Sequence, residues 1–286
     1  IGNKWINLRK RDYPPNISHL KNNMVIENLN KYSEEQIASL QEKENVIRLI
    51  ISEQPNRCNL EHLRKYAIKS DTNIQLCLCA EDNNIIKFDV FECLAEKVVD
   101  IEIYNRKRVL TSIIGISIFR NLNKLIISDL YDDKIVLDEL VQLEKLEILG
   151  LVLNGDLDMR QYETINQLFS LRRLEVKGLD SMLLDKLPNL YGLSNLSHVP
   201  NLCNLPNLRR IGICNMKRLE QMPTLNRELE SLDVEKNVPM LGVDSFRDVT
   251  PINLPNLKWI RINLGNDVKS NMILDRFKNI CETTRW

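Results

Sequence analysis

Three stretches decide how this chain reads: LNKLIISDL (Leu122–Leu130), LEKLEILGL (Leu143–Leu151) and LRRLEVKGL (Leu171–Leu179). Each carries aliphatic residues at its first, fourth and sixth places. The same spacing returns at Leu208 (LRRIGICNM), Leu229 (LESLDVEKN) and Leu257 (LKWIRINLG). Looser copies start at Val46, Asn73 and Val98, and a weak one at Leu190 has Asn195 in an aliphatic place. Adjacent starts then lie 18 to 28 residues apart. One such hexad means little in a chain rich in leucine, whereas ten at this spacing mark a repeat array. Alternation at the fourth and sixth places turns two aliphatic side chains to one face of a short strand. A single unit cannot bury that face, but a stack of units makes a continuous core.

Over roughly residues 40 to 265 the pattern resembles the leucine-rich repeat family. The resemblance implies an α/β solenoid, with a curved parallel sheet on the concave face and helices or irregular segments on the convex face. The Asn or Cys that usually follows the strand is mostly absent, Asn237 being the clear exception, so irregular turns are expected there. Helical apolar spacing appears in NLEHLRKYAI (59–68), DVFECLAEKV (89–98) and MRQYETINQLF (159–169). From Leu171 several units shrink to 18 to 21 residues, too few for three helical turns, which predicts a thinner convex layer and a change of curvature near residue 180.

Residues 187–211, LPNLYGLSNLSHVPNLCNLPNLRRI, hold three Leu/Val-Pro-Asn-Leu tetrapeptides. Starts 12 and then 6 residues apart leave no room for a strand and its return. Pro188 and Pro206 suit strand entries, where a missing N–H is tolerated, and Pro200 then falls on the convex return. The stretch therefore reads as one 18-residue unit from Leu190, with the next strand at Leu208.

The organisation expected is an N-terminal segment with a capping helix over 1–44, about ten repeats over 45–265, and a C-terminal capping helix over 266–286. SEEQIASLQEKE (33–44) opens with a Ser33–Gln36 capping box and sets Ile37 and Leu40 on one face. Val268, Met272, Ile273, Phe277 and Ile280 fall at helical spacing and are expected to seal the last strand. RDYPPN (11–16) reads as a linker, and the start at Ile1 rather than Met points to a fragment.

The chain carries 39 basic and 39 acidic residues, so no global field draws it to nucleic acid or to an anionic membrane. No apolar run reaches the ~20 residues of a membrane helix. The expected partner is a protein, with nucleic acid unfavoured, no membrane and no cofactor. Seven scattered cysteines favour reduced thiols and an intracellular location, against which stand two sequons at Asn16 and Asn195. His19, His62 and His198 read as lying far apart with no Cys or carboxylate at ligand spacing, and no nucleotide-binding or HExxH motif is present. Cys77 and Cys79 point to the concave side as small polar filler. No catalytic or metal-ligating set emerges, and the chain reads as a non-enzyme.

The third, fifth and seventh places of each unit face the concave surface. They predict a basic stripe of Lys124, Lys145, Arg173 and Arg210 beside an acidic stripe of Glu102, Glu147, Glu175 and Asp233. These charges either pair with one another or select a partner of complementary pattern. Trp259, Arg261 and Tyr104 are residue types that commonly anchor interfaces. The candidate contact set is therefore Tyr104, Lys124, Lys145, Glu147, Arg173, Glu175, Arg210, Asp233, Trp259 and Arg261. Trp259 is either a contact residue or is covered by the C-terminal segment, for example by Trp286.

By fold-level analogy the helix-bearing early repeats look like the substrate-recognition arm of an F-box ubiquitin-ligase receptor, with an adaptor subunit bound through a flanking domain. LEQMPTLNRELESLDVEKN (219–237) looks like the repeats of bacterial effectors, and LPNLRRIGICNMKRLEQMP (205–223) like those of plant intracellular immune receptors. A nucleic-acid scaffold would use the basic stripe, and the interleaved acids speak against it.

Overall fold

The computed structural model describes residues 17–20, 23–40, 45–79, 87–104, 113–130, 136–153, 158–177, 192–194, 202, 205–213, 219–235 and 238–284. The linker, Trp286, Asn237, Pro200 and residues 178–191, where the curvature change is expected, lie outside them.

Among the described residues thirteen strands form one sheet in chain order. An antiparallel pair, β1 (Ile17–Leu20) and β2 (Asn23–Glu27), starts it. Every later strand runs parallel to its predecessor: β3 (Val46–Ile51), β4 (Asn73–Leu78), β5 (Val98–Tyr104), β6 (Lys124–Leu130), β7 (Ile148–Leu153), β8 (Arg173–Lys177), β9 (Gly192–Ser194), β10 (Arg210–Ile213), β11 (Ser231–Val234), β12 (Trp259–Ile262) and β13 (Glu282–Thr284). With helices and 3-10 turns set between its parallel strands, this is a leucine-rich-repeat solenoid.

The aliphatic hexad builds the core as expected. Leu122, Leu125 and Ile127 are buried under the sheet. So are Leu208, Ile211 and Ile213, and likewise Leu229, Leu232 and Val234. Gly192 pairs with Arg210, which gives the 18-residue step read from the proline-rich stretch.

One copy is misread. Lys124 pairs with Ile148, and Leu125 with Leu149. The seventh strand is therefore built on Leu146, Leu149 and Leu151, not on Leu143, Leu146 and Ile148. Both triplets satisfy the pattern because leucines recur every three residues here. The choice is settled by packing: Leu149 and Leu151 continue the rows of Leu125 and Ile127, while Leu143 is buried in the preceding turn.

The convex layer begins with α1 (Glu34–Ala38), whose Ser33–Gln36 capping box is formed in both directions. It packs against α2 (Arg57–Tyr66), which is capped by Asn56. Because β2 precedes it, α1 backs a repeat rather than closing the end of the sheet. The 88–97 segment is a 3-10 helix, not an α-helix. Phe88, Phe91 and Leu94 are buried three residues apart, which is the period of that tighter helix. Next come α3 (Met159–Ile165), again with a capping box at Asp158, and α4 (Asp267–Leu274). The last helix buries Ile273, Leu274 and the following Phe277, but leaves Val268, Met272 and Ile280 exposed. Beyond it β13 adds a further strand beside β12.

A polar ladder stitches the strand-entry edge. Asn121 Nδ2 donates to the Glu96 carbonyl at 2.8 Å, and Lys145 Nζ to Asn121 Oδ1 at 2.6 Å. Ser170 Oγ donates to the Glu144 carbonyl and Asn256 Nδ2 to Glu228 at 3.1 Å. A half-buried carboxylate makes a second clasp: Glu139 accepts from the Gly115 N–H at 2.8 Å and from the Ser117 hydroxyl at 2.9 Å.

Candidate functional site

Strand pairing fixes what the concave face presents. One row runs Arg48, Gln75, Asp100, Lys124, Ile148, Arg173, and on through Arg210 and Ser231 to Trp259. The next row runs Ile50, Cys77, Glu102, Ile126, Gly150, Glu175, and later Asp233 and Arg261.

The N-terminal half holds a compact ion cluster. Glu102 accepts from Arg48 Nη2 at 2.9 Å, from Lys124 Nζ at 2.6 Å and from the Tyr104 hydroxyl at 3.3 Å. Lys124 also reaches Asp100 at 3.2 Å. Burial opposes the charge on Glu102, but the Lys124 hydrogen bond and the Lys124 and Arg48 charges outweigh it and hold the carboxyl below its ordinary value. Asp100 goes the other way: burial outweighs Lys124 and pushes it up, and its Oδ1 is buried without a partner. The Tyr104 phenol is pushed up to about 12 by burial and by the Glu102 charge. Arg48 and Asp100 are absent from the predicted contact set, although both stand at third places of the looser copies.

The centre of the face is apolar. Ile126 and Ile148 are half-buried diagonal neighbours, and Gly150 lies opposite Ile126. A Cβ on Gly150 would come 3.3 Å from Ile126 Cγ1, so the glycine keeps a shallow notch. Lys145 and Glu147 were expected at this place. The shifted register puts them instead at the strand entry, where Lys145 joins the edge ladder and Glu147 faces Arg172 at 3.7 Å. The basic stripe is thus interrupted by Ile148 and the acidic one by Gly150.

Arg173 and Glu175 sit on the face as expected and approach each other to 3.5 Å. Arg210 is exposed on its strand. On the C-terminal strands Arg261 is bound by Asp233 and Glu235, and its guanidinium lies 5.5 Å from the Trp259 ring. Trp259 is half-buried on the concave side. Tyr104, Lys124, Arg173, Glu175, Asp233 and Arg261 are thus held in ion pairs or hydrogen bonds on the face itself.

Among the described residues no group of three or more His, Cys, Asp or Glu side chains could hold a metal ion. The histidine reading needs one correction. Cys58 and His62 lie one helical turn apart on α2, with Sγ 4.0 Å from Nε2, and Glu34 on α1 reaches the same nitrogen at 3.5 Å. The i, i+4 spacing was legible in CNLEH. His62 Nδ1 is buried with no hydrogen-bond partner.

No family model matches this chain, and no characterised protein matches it by sequence. Solved structures do match. One is the crystal structure of a TLR13–ssRNA13 complex, 15% identical, with a TM-score of 0.46 over 84% of this chain and 36% of that one. Another is the Toll–Spatzle complex, described as a molecular hub in Drosophila development and innate immunity, 12% identical, with a TM-score of 0.42 over 84% of this chain and 30% of that one. The chain spans about a third of the length of each. Two expectations fall with this comparison. The first structure is a complex with single-stranded RNA, and the expectation that nucleic acid is unfavoured is withdrawn. The expectation of an intracellular location is withdrawn as well. No described helix is long and apolar enough to cross a membrane.

Proposed function

We propose that the solenoid is a non-catalytic recognition module of a receptor, holding a protein partner against the concave sheet around Ile126, Ile148 and Trp259. The F-box reading has no support beyond the repeat pattern and is not carried further. One observation carries the proposal. The concave strand positions hold aliphatic and aromatic side chains that no core requires, set between charges already neutralised by their own neighbours. Such a surface offers apolar contact area without unpaired buried charge, which is the anatomy of an interface centre. The ion pairs also hold long side chains in one geometry, which lowers the ordering cost of binding.

Photo-crosslinking residues at positions 148 and 259 identify the partner, which is then titrated as a purified species. Ile148→Asp and Trp259→Ala are each expected to weaken binding at least tenfold, the scale of an interface anchor. Met159→Ala on the exposed side of α3 serves as the control and leaves it unchanged. Equal binding by both concave variants and the unaltered chain would overturn the proposal. Capture of single-stranded RNA at these positions would keep the surface and replace the partner.

A further inference from the structure

The register places Ile148, Arg173, Gly192, Arg210, Ser231 and Trp259 in one concave row, strand after strand. The apolar anchors of the proposed recognition surface stand at the two ends of this row. Two arginines stand between them, on either side of a glycine. Strands are about 4.8 Å apart, so the arginine backbones are separated by roughly 10 Å, with no side chain between them in this row.

Charge is spread unevenly along the sheet. Strands β7 to β10 carry Arg173, Glu175, Lys177 and Arg210, three basic residues to one acid, in a chain whose total is zero. Arg173 is 60% exposed and only loosely engaged by Glu175 at 3.5 Å, and Arg210 is exposed. Arg172 and Arg209 stand just before them at the strand entries. The flanks differ. On the N-terminal side Arg48 and Lys124 are balanced by Asp100 and Glu102, and on the C-terminal side Arg261 is bound by two acids, Asp233 and Glu235.

A cationic stretch between apolar anchors has a definite complement. Strands β10, β11 and β12 are four residues long, with two concave places each, about 7 Å of sheet width. That is narrower than a helix, at about 10–12 Å, and suits one extended segment. At about 3.3 Å per residue, the ~10 Å from Ile148 to Gly192 spans about three residues and the ~14 Å on to Trp259 about four. Nucleic acid fits less well, because Glu175 and Asp233 stand in the next row and repel a phosphate backbone. We propose, resting on the concave recognition surface above, that the protein partner binds as one extended acidic segment, with an Asp or Glu carboxylate between Arg173 and Arg210. Its apolar residues lie about three positions to one side of that carboxylate, at Ile148, and about four to the other, at Trp259. Arginine takes a carboxylate through two parallel N–H···O bonds, which fixes the register of the segment as well as drawing it in.

The probe is a random peptide library displayed on phage and selected against the purified chain. Enriched peptides are expected to carry Asp or Glu about three positions from one apolar residue and about four from another. The synthetic consensus peptide is expected to bind more weakly as salt rises. Arg173→Glu with Arg210→Glu, both at exposed positions, should weaken it by about tenfold or more with an unchanged melting curve. Replacing the acid of the peptide by Lys should restore binding to that variant. Enriched peptides without acid preference that still lose affinity on Ile148→Asp would overturn the carboxylate subsite and leave the apolar anchors standing. Dependence on the two arginines, but not on Ile148 or Trp259, would keep the subsite and overturn the anchors. Selection of no peptide, or displacement of the peptide by single-stranded RNA at equal concentration, would overturn the proposal.

Discussion

Glu102→Gln separates a structural ion cluster from ordinary surface charge. The carboxylate takes Arg48 at 2.9 Å, Lys124 at 2.6 Å and Tyr104 at 3.3 Å, with 19% of its side chain exposed. Glutamine keeps the shape but removes the charge and turns an NH₂ toward one of the cations. Breaking a fully buried pair costs about 3–5 kcal/mol. This cluster keeps partial solvent contact, and Lys124 retains Asp100, so about 2 kcal/mol is expected. Glu175→Gln is the matched comparison: Arg173 is 60% exposed and the contact is 3.5 Å, so ~0.5 kcal/mol or less is expected. Urea denaturation at pH 7 reads both. Glu102 has a folded pKa below its ordinary value, so its stabilisation is present above the unfolded pKa and is lost as pH falls through the folded one. The gap between Glu102→Gln and the unaltered chain should therefore close in acid. Equal effects of the two substitutions at pH 7, or a gap that persists in acid, would refute the reasoning.

Asp100 has the opposite sign, since its folded pKa is raised and its charge costs stability at neutral pH. Asp100→Asn is expected to match or exceed the unaltered chain at pH 7, and the difference should vanish as pH falls through the raised pKa. Glu139→Ala removes the acceptor of the Gly115 and Ser117 N–H groups and should cost about 1–3 kcal/mol, with faster amide exchange at those two positions. Gly150→Ala places a methyl 3.3 Å from Ile126 and should cost ~1 kcal/mol or more in the same denaturation assay, while altering partner affinity if the notch is used.

Strand positions were legible wherever the aliphatic spacing had a single solution. Leu122, Leu171, Leu208, Leu229 and Leu257 each lead directly to the observed register. Leu143 failed because LEKLEILGL contains two overlapping solutions, and only the rows formed by neighbouring strands select between them. That one slip moved Lys145 and Glu147 off the face and hid Ile148. The strand at Asn23–Glu27 escaped the pattern because its preceding segment carries no leading aliphatic triplet. The 3-10 helix was mistaken for an α-helix because a period of 3 and one of 3.6 diverge little over ten residues. The Arg48–Glu102–Lys124 cluster joins three strands, and a bond that skips a strand has no signature in spacing.

The most direct test of concave recognition is a crosslinking footprint with the purified partner, comparing photo-reactive residues at 148, 259, 145 and 159. Capture at 148 and 259, with none at 145 on the strand-entry edge or at 159 on the convex side, is the predicted result. Capture at 159 with none at 148 and 259 would contradict it.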